Sequence, residues 1–292
     1  MKILRSFAAL SLVFFIPLAA AQSGAPNASK TKRAAPPNAV DRYLFGVSEG
    51  TSGGIDAAVA LDKYRPLANV IEKTLGRKVI VTFVRSFEQL EAGMKKGEFD
   101  LVMARPSDYP ARGVRDYKYS MVAASKPDGQ CVFIVEKTSP LQNIGEIKGR
   151  TIIFPEKIAY MSKFCTAELR DRGIDVNKEK ITYAKEQGAE GWTIENKLSD
   201  VGGVASYSGV AKNWEKGGQR VLHKSITQPY SPLIAGNRLT PDQVAKLKTV
   251  LGDLDKTEDG KKVLSTLGIQ GFNPESSERL LALLAWLEKP AS

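Results

Sequence analysis

The sequence predicts an α/β protein built from two similar, mostly parallel sheets, each flanked by helices, and three observations carry that reading. A β-branched run over 79–84 (VIVTFV) has the composition of a strand buried on both faces, and a second apolar run over 100–104 follows it. Between them Ser86 and Gln89 form a capping box, Phe87, Leu90 and Met94 recur at helical spacing, and Gly97 supplies a stop. The same strand–helix alternation starts again beyond residue 144, so the chain needs a second sheet. Two such sheets in one chain make two lobes with a cleft between them, where small-molecule sites commonly lie.

In chain order, Lys2 and Arg5 precede an apolar run over 7–18, and Ala19-Ala20-Ala21 offers a cleavage site. The run is interrupted by Pro17 and falls short of the roughly 18 residues that span a bilayer. Residues 1–21 therefore read as a cleaved signal peptide, with an uncleaved anchor as the alternative, and the protein is expected in the periplasm or outside the cell. Cleavage before Gln22 leaves no N-terminal cysteine for a lipid anchor. Residues 22–40 are rich in Ala, Pro, Ser, Asn and Lys and read as a disordered leader. Setting aside the five cations of these two segments lowers the net charge from +10 to +5 for the body. That body of about 250 residues is enough for one large or two small domains. No basic stripe with interleaved aromatics marks it for nucleic acid.

The first strand is expected over 43–47, followed by the glycine- and hydroxyl-rich turn 48–54, which includes Ser48 and can present N–H groups to an anion. The turn lacks the Lys-Ser/Thr pair of a nucleotide loop. Leu61, Tyr64, Leu67, Ala68, Ile71 and Leu75 then mark a helix that tolerates Pro66 near its start and ends at Gly76. After the strand at 100–104, the loop Arg105-Pro106-Ser107-Asp108-Tyr109 opens another helix. It carries a cation, hydroxyls and an aromatic at the carboxyl end of a strand, where open α/β sheets bind ligands.

Strands are expected over 119–124 and 131–136 around a turn at 126–129, then a short helix over 144–149 and a strand over 151–154. A helix over 159–172, a strand over 181–184, a helix over 190–198 and a strand over 201–205 follow. A helix over 207–216 and strands over 219–222 and 232–235 come next. Thr240 and Pro241 open a helix whose buried stripe is Val244, Leu247, Val250, Leu251 and Leu254, and helices over 260–267 and 276–287 end the chain.

Catalytic chemistry has no visible carrier. His223 is the single histidine and lies near no nucleophile motif. Carboxylates fall beside lysines on helix faces, and metal, dinucleotide and haem patterns are absent, so neither an enzyme, a metal site nor a cofactor is expected. Cys131 and Cys165 read either as a disulfide in an oxidising compartment or as thiolate ligands for a soft metalloid.

Several segments resemble the phosphate/phosphite/phosphonate-binding proteins of ABC transporters. They are Tyr64-Arg65-Pro66-Leu67 through Ile71-Glu72-Lys73-Thr74-Leu75-Gly76, then Phe87 to Met94, and Gly97-Glu98-Phe99-Asp100-Leu101-Val102. Asn143 to Thr151 and Leu264 to Phe272 complete the set, in family order over nearly the whole body. The resemblance implies the type 2 periplasmic-binding-protein fold, with two lobes on a two-strand hinge closing over an oxyanion. Lobe one would span 41–119 and 229–288, and lobe two 120–228. The chain would act as a monomer that captures a small anion for an ABC transporter permease. The alternative is a ligand sensor partnering a membrane receptor kinase, with metalloid binding through Cys131 or Cys165.

Ser107 and Tyr109 fall where the family places a serine and an aromatic, though Arg105 replaces a glycine usual before the proline. After the strand at 151–154 the family shows a Ser/Thr-rich stretch that holds the phosphonate, and this chain keeps only Ser162 of it. Arg85, Arg105 and Lys157, near predicted strand ends, are candidates to replace the missing donors. The competing reading pairs Arg85 and Arg105 with Glu49 or Asp108. Tyr160, Trp192 and Tyr207 are candidate pocket walls, or ordinary core aromatics.

Overall fold

The computed structural model describes residues 41–49, 56–185, 188–274 and 277–290. The expected signal peptide 1–21, the leader 22–40 and most of the 48–54 turn lie outside the described residues.

The first sheet starts from β1 (Arg42–Ser48), α1 (Ala57–Leu75), β2 (Lys78–Phe83), α2 (Phe87–Lys96), β3 (Leu101–Ala104) and α3 (Asp108–Asp116). β1 pairs in parallel with β2 and β3, in the register Phe45↔Val81 and Phe45↔Leu101. α2 begins at the expected Phe87, with Ser86 accepting from the Gln89 N–H, and ends at Gly97 in the left-handed region. α1 begins earlier than its stripe suggested, because Asp56 caps it. Pro66 therefore stands inside the helix, where it removes one backbone hydrogen bond. β2 lies at the sheet edge and is only half buried, so its β-branched composition reflects an edge strand packed on one side.

β4 (Ser120–Gly129) corrects two expectations at once. Residues 126–129 are strand rather than turn, and residues 120–129 belong to the first sheet rather than to lobe two. The reason is pairing on both flanks: Gly129 faces Gln228 of β10 (Gln228–Ala235), and Lys126 faces Gly271 of β11 (Gly271–Asn273). β11 is three residues long and leaves too short a pattern to read in advance.

The second sheet is built from β5 (Cys131–Val135), β6 (Thr151–Pro155), β7 (Lys180–Ala184), β8 (Val201–Ala205) and β9 (Arg220–Lys224). Its helices are α4 (Tyr160–Asp171), α5 (Ala189–Glu195) and α6 (Gly209–Trp214). The strand orders are β11-β4-β10-β3-β1-β2 and β7-β6-β8-β5-β9. Each sheet thus contains three parallel strands next to one that runs against them, and that reversed strand (β10 or β5) is the one arriving from the other lobe. The crossings lie at Gln130 and at residues 225–227. They are tied together, since Gln130 Nε2 donates to the Ser225 carbonyl and the Cys131 N–H to Ser225 Oγ.

Cys131 and Cys165 are bonded and join β5 to α4, with Cα atoms 5.3 Å apart. Both are fully buried, so neither sulfur is left as a thiolate for a metalloid, and that alternative falls. Gly203 on β8 is required here, because a Cβ would stand 2.5 Å from the Phe154 ring and 3.0 Å from Cys165 Sγ.

The last helices are α7 (Pro241–Gly252), α8 (Glu258–Leu267) and α9 (Glu278–Glu288). α7 carries the expected capping box at Thr240. α9 packs on α3 and β10 of the first lobe and on α4 of the second. The Phe164 and Trp286 rings meet edge-on at 4.9 Å, and Arg170 donates to the Trp286 and Lys289 carbonyls. No described helix is long and apolar enough to cross a membrane.

Candidate functional site

The carboxyl ends of β1 and β3 in one lobe and of β6, β7 and β8 in the other converge on a cavity of about 410 Å³. That is where doubly wound sheets place ligands, and the volume suits a small molecule. Lobe one contributes Glu49, directly after β1, and Arg105, directly after β3. Lobe two contributes Glu156, the start of α4 at Tyr160 and Met161, then Lys185, Glu190, Tyr207 and Ser208.

Arg105 is held from three directions. Its N–H donates to the Ser48 carbonyl (3.1 Å), which ties the end of β3 to the end of β1. Its Nε lies 3.2 Å from Glu49 Oε2, and its guanidinium sits 5.7 Å from the centre of the Tyr207 ring. Tyr207 in turn stacks on Tyr230 at 4.0 Å. Burial opposes the charge on Arg105, but Tyr230 and Glu49 raise its pKa further, so it remains a cation. Arg105 lines the cavity and at the same time pairs with Glu49.

Glu49 is the centre of this arrangement, with its side chain 1% exposed. Lys63 from α1 donates to Oε2 at 3.0 Å. Lys63 is also 2.9 Å from Oε1 but off the hydrogen-bonding direction, so Oε1 accepts no hydrogen bond among the described residues. Burial works to raise the Glu49 pKa, yet Arg105 and Lys63 outweigh it and hold the carboxyl below its ordinary value. The same burial, with Arg105 nearby, pushes Lys63 down. Burial pushes the Tyr230 hydroxyl up to about 12.

On the opposite wall α4 starts at Tyr160 after Ala159, whose side chain cannot cap it, and Ala159, Tyr160 and Met161 line the cavity at the helix end that carries the positive end of the dipole. Tyr160 is buried and its hydroxyl donates to the carbonyl of Pro229 in β10. Glu190 is 5% exposed, and burial raises its pKa. Among the described residues, three carboxylates (Glu49, Glu156, Glu190) and two cations (Arg105, Lys185) line the cavity.

Of the residues expected at the site, Arg105, Tyr160 and Tyr207 meet at the cavity and the others do not. Ser48 is buried and offers its backbone carbonyl to Arg105. Ser107 is buried, with Oγ directed at the Arg105 carbonyl (3.4 Å). Tyr109 turns the other way and packs on Phe87 (5.3 Å) beneath Arg112 (4.3 Å), because α3 begins at Asp108 and rotates it out of the loop. Ser162 donates to the Pro155 carbonyl (2.7 Å), closing the β6–α4 turn rather than facing ligand. Arg85 is exposed beyond β2 and does not line the cavity. Lys157 and Ser162 line a separate cavity of about 440 Å³, and Trp192 is largely exposed. Glu49 and Glu190 line the cavity without being among the expected site residues. The strand-end rule that picks out Arg105 applies equally to Glu49, whereas nothing in the pattern around Glu190 distinguishes it from a solvated helix carboxylate.

The sequence profile of the family described as the periplasmic substrate-binding protein of a phosphonate ABC transporter matches residues 55–280. No curated protein matches the chain. Among solved structures, a Xanthomonas citri protein bound to chloride is 15% identical with a TM-score of 0.68, covering 85% of this chain and 97% of that one. The Prochlorococcus marinus protein in complex with methylphosphonate is 15% identical with a TM-score of 0.64, covering 84% and 97%. The binding-protein component of a Pseudomonas aeruginosa ABC phosphonate transporter is 16% identical with a TM-score of 0.61, covering 84% and 86%. At these identities the structural likeness establishes the two-lobed fold, and the profile establishes the lineage. The chain belongs to the family of periplasmic substrate-binding proteins of phosphonate ABC transporters.

Proposed function

We propose that this protein captures a small oxyanion of the phosphonate or phosphate class between its lobes and presents it to an ABC transporter permease. One observation carries the reading. Arg105 on lobe one and the uncapped start of α4 on lobe two line the same cavity, so an anion lodged there would contact both lobes. Contacts to both lobes shift the population toward the closed state, which is the signal a permease reads. The hinge would be the pair of crossings at Gln130 and residues 225–227, so lobe two is the part between them. Residues 1–21 act in this reading as a cleaved leader that delivers a monomer to the periplasm, and the ligand is released unchanged.

A thermal-shift screen of phosphate, phosphite, methylphosphonate, sulfate, methanesulfonate and small carboxylates tests it. An oxyanion at about 100 times its dissociation constant adds roughly 2.7 kcal/mol to stability. No shift with any oxyanion overturns the reading.

A further inference from the structure

Of the two cavities that α4 helps to line, the interlobe one is the less positive. Lys163, Thr166 and Arg170 recur at helical spacing along one face of α4, and the loop before the helix adds Lys157. That face, the helical turn Val176–Lys178, Tyr183 of β7 and the end of α9 line the separate cavity of about 440 Å³. Among the described residues, five cations line it (Lys157, Lys163, Arg170, Lys178 and Lys289) against the carboxylate of Asp175. Two further carboxylates stand behind them: Asp108 holds Lys163, and Asp171 faces Arg170 and Lys289. Five cations against three carboxylates leave an excess of two positive charges. The interlobe cavity, with Lys63 counted behind Glu49, has three of each among the described residues.

The cations are not equally committed. Lys163 and Arg170 tie α4 to Asp108 and to the Trp286 and Lys289 carbonyls, so they give the cavity charge while holding its walls together. Lys178 faces Asp175 at 3.6 Å with its side chain 82% exposed, and such a surface pair contributes little. Lys157 has no hydrogen-bond or ion-pair partner among the described residues. Two ammonium groups with three N–H donors each are thus available to an anion. Beside them Ile174, Val176, Leu287 and the 41% exposed Tyr183 ring supply an apolar stretch of wall.

We propose that this cavity is a second ligand site, for a phosphomonoester that carries an apolar or aromatic substituent. Such a group bears a charge of about −1.5 to −2 near neutral pH and three strong acceptor oxygens, which matches the excess charge and the ammonium donors. The substituent lies against the apolar wall, in a volume of the size that small-molecule sites occupy. The site is independent of anion capture between the lobes, because neither Lys157 nor Lys178 lines the interlobe cavity. A soluble organic phosphate and a phospholipid head group share this chemistry.

Calorimetric titration of the full chain with phenyl phosphate at about pH 8, where the ester is dianionic, tests the site. The expected result is binding that weakens at least about tenfold in Lys157→Glu/Lys178→Glu, with methylphosphonate affinity unchanged within about twofold. Both side chains are exposed, so the charge reversal leaves the fold in place. Inorganic phosphate, which lacks the substituent, should bind at least about fivefold more weakly than phenyl phosphate. Co-sedimentation with phosphatidylcholine vesicles containing phosphatidic acid separates the two sources. Sedimentation that disappears in K157E/K178E assigns the cavity to a lipid head group, and phenyl phosphate binding without sedimentation assigns it to a soluble ester. Unchanged phenyl phosphate affinity in K157E/K178E overturns the site, as does a protein that binds neither phenyl phosphate nor the vesicles. Equal affinities for phenyl phosphate and inorganic phosphate overturn the role of the apolar wall. If the reversal unfolds the protein, K157A/K178A takes its place, and an unchanged phenyl phosphate affinity there overturns the site.

Discussion

Lys163 Nζ on α4 of the second lobe lies 2.7 Å from Asp108 Oδ2 at the start of α3 in the first. Asp108 is almost fully buried and also faces Arg112 at 3.4 Å, while Lys163 stays about one-third exposed. An ion pair thus bridges the lobes without either partner lining the interlobe ligand cavity. Under the hinge-closure reading proposed above, its removal would act on lobe closure without touching the ligand.

Lys163→Ala should therefore widen the ligand-free particle and weaken oxyanion binding together. Screening by solvent limits the effect to about 1 kcal/mol, or roughly fivefold in dissociation constant. Small-angle scattering of the ligand-free protein reads the first change and calorimetry the second. A weaker affinity with an unchanged radius of gyration would place the effect at the site instead.

The pairing of Glu49 with Arg105 and Lys63 predicts a stability loss in acid. The Glu49 carboxyl is held below its ordinary value of 4.5, so it contributes stability above that pH and loses it as pH falls through the lower, folded value. Arg105→Ala leaves Glu49 buried with Lys63 as its one cation among the described residues, beside the Tyr64 hydroxyl. It should cost about 2–3 kcal/mol at neutral pH, abolish ligand-induced shifts and flatten the acid limb. Chemical denaturation between about pH 3 and 7 measures both. An acid limb unchanged in R105A would assign the loss to other carboxylates.

The Cys131–Cys165 bond closes a loop with a sequence separation of 34 inside lobe two, away from the cavity lining. Replacing both cysteines with alanine should lower the unfolding free energy by about 2–4 kcal/mol. Ligand affinity should stay within about twofold, because neither cysteine lines the site. Urea denaturation and calorimetry separate the two effects, and a large loss of affinity at preserved stability would contradict the assignment of the bond to structure.

What was legible in the sequence follows the range over which each signal acts. Ser86, Gln89 and Gly97 bound α2 through contacts within a few residues, and those positions stand as read. The place of Arg105 at a strand end is equally local. The side chains that turned away, Tyr109 and Ser162, sit at helix starts, where one residue of rotation decides between cavity and interior. The second half of β4 is illegible in the sequence because it is held as strand by β10 and β11, which arrive about a hundred residues or more later. Glu190 is silent in the sequence for the same reason. Its burial is created by lobe-two packing, and no neighbour in sequence announces it.

Glu190 yields the prediction that bears most directly on function. It is 5% exposed, lines the ligand cavity, and its pKa is raised by burial, with its own N–H and that of Gly188 working against the rise. A group whose folded pKa is raised favours the folded state in its protonated form. Its contribution is complete below the unfolded value and is lost as pH rises through the folded value, so at neutral pH the ionised carboxylate is a cost. Glu190→Gln removes that cost and should raise stability at pH ~7, with the gain shrinking as pH falls and the native carboxyl protonates. If the carboxylate is kept because it meets ligand, the same variant should bind methylphosphonate at least about fivefold differently while melting higher. Melting curves across pH and calorimetry on one preparation decide it. A variant that gains stability with unchanged affinity would make Glu190 a bystander in the cavity wall.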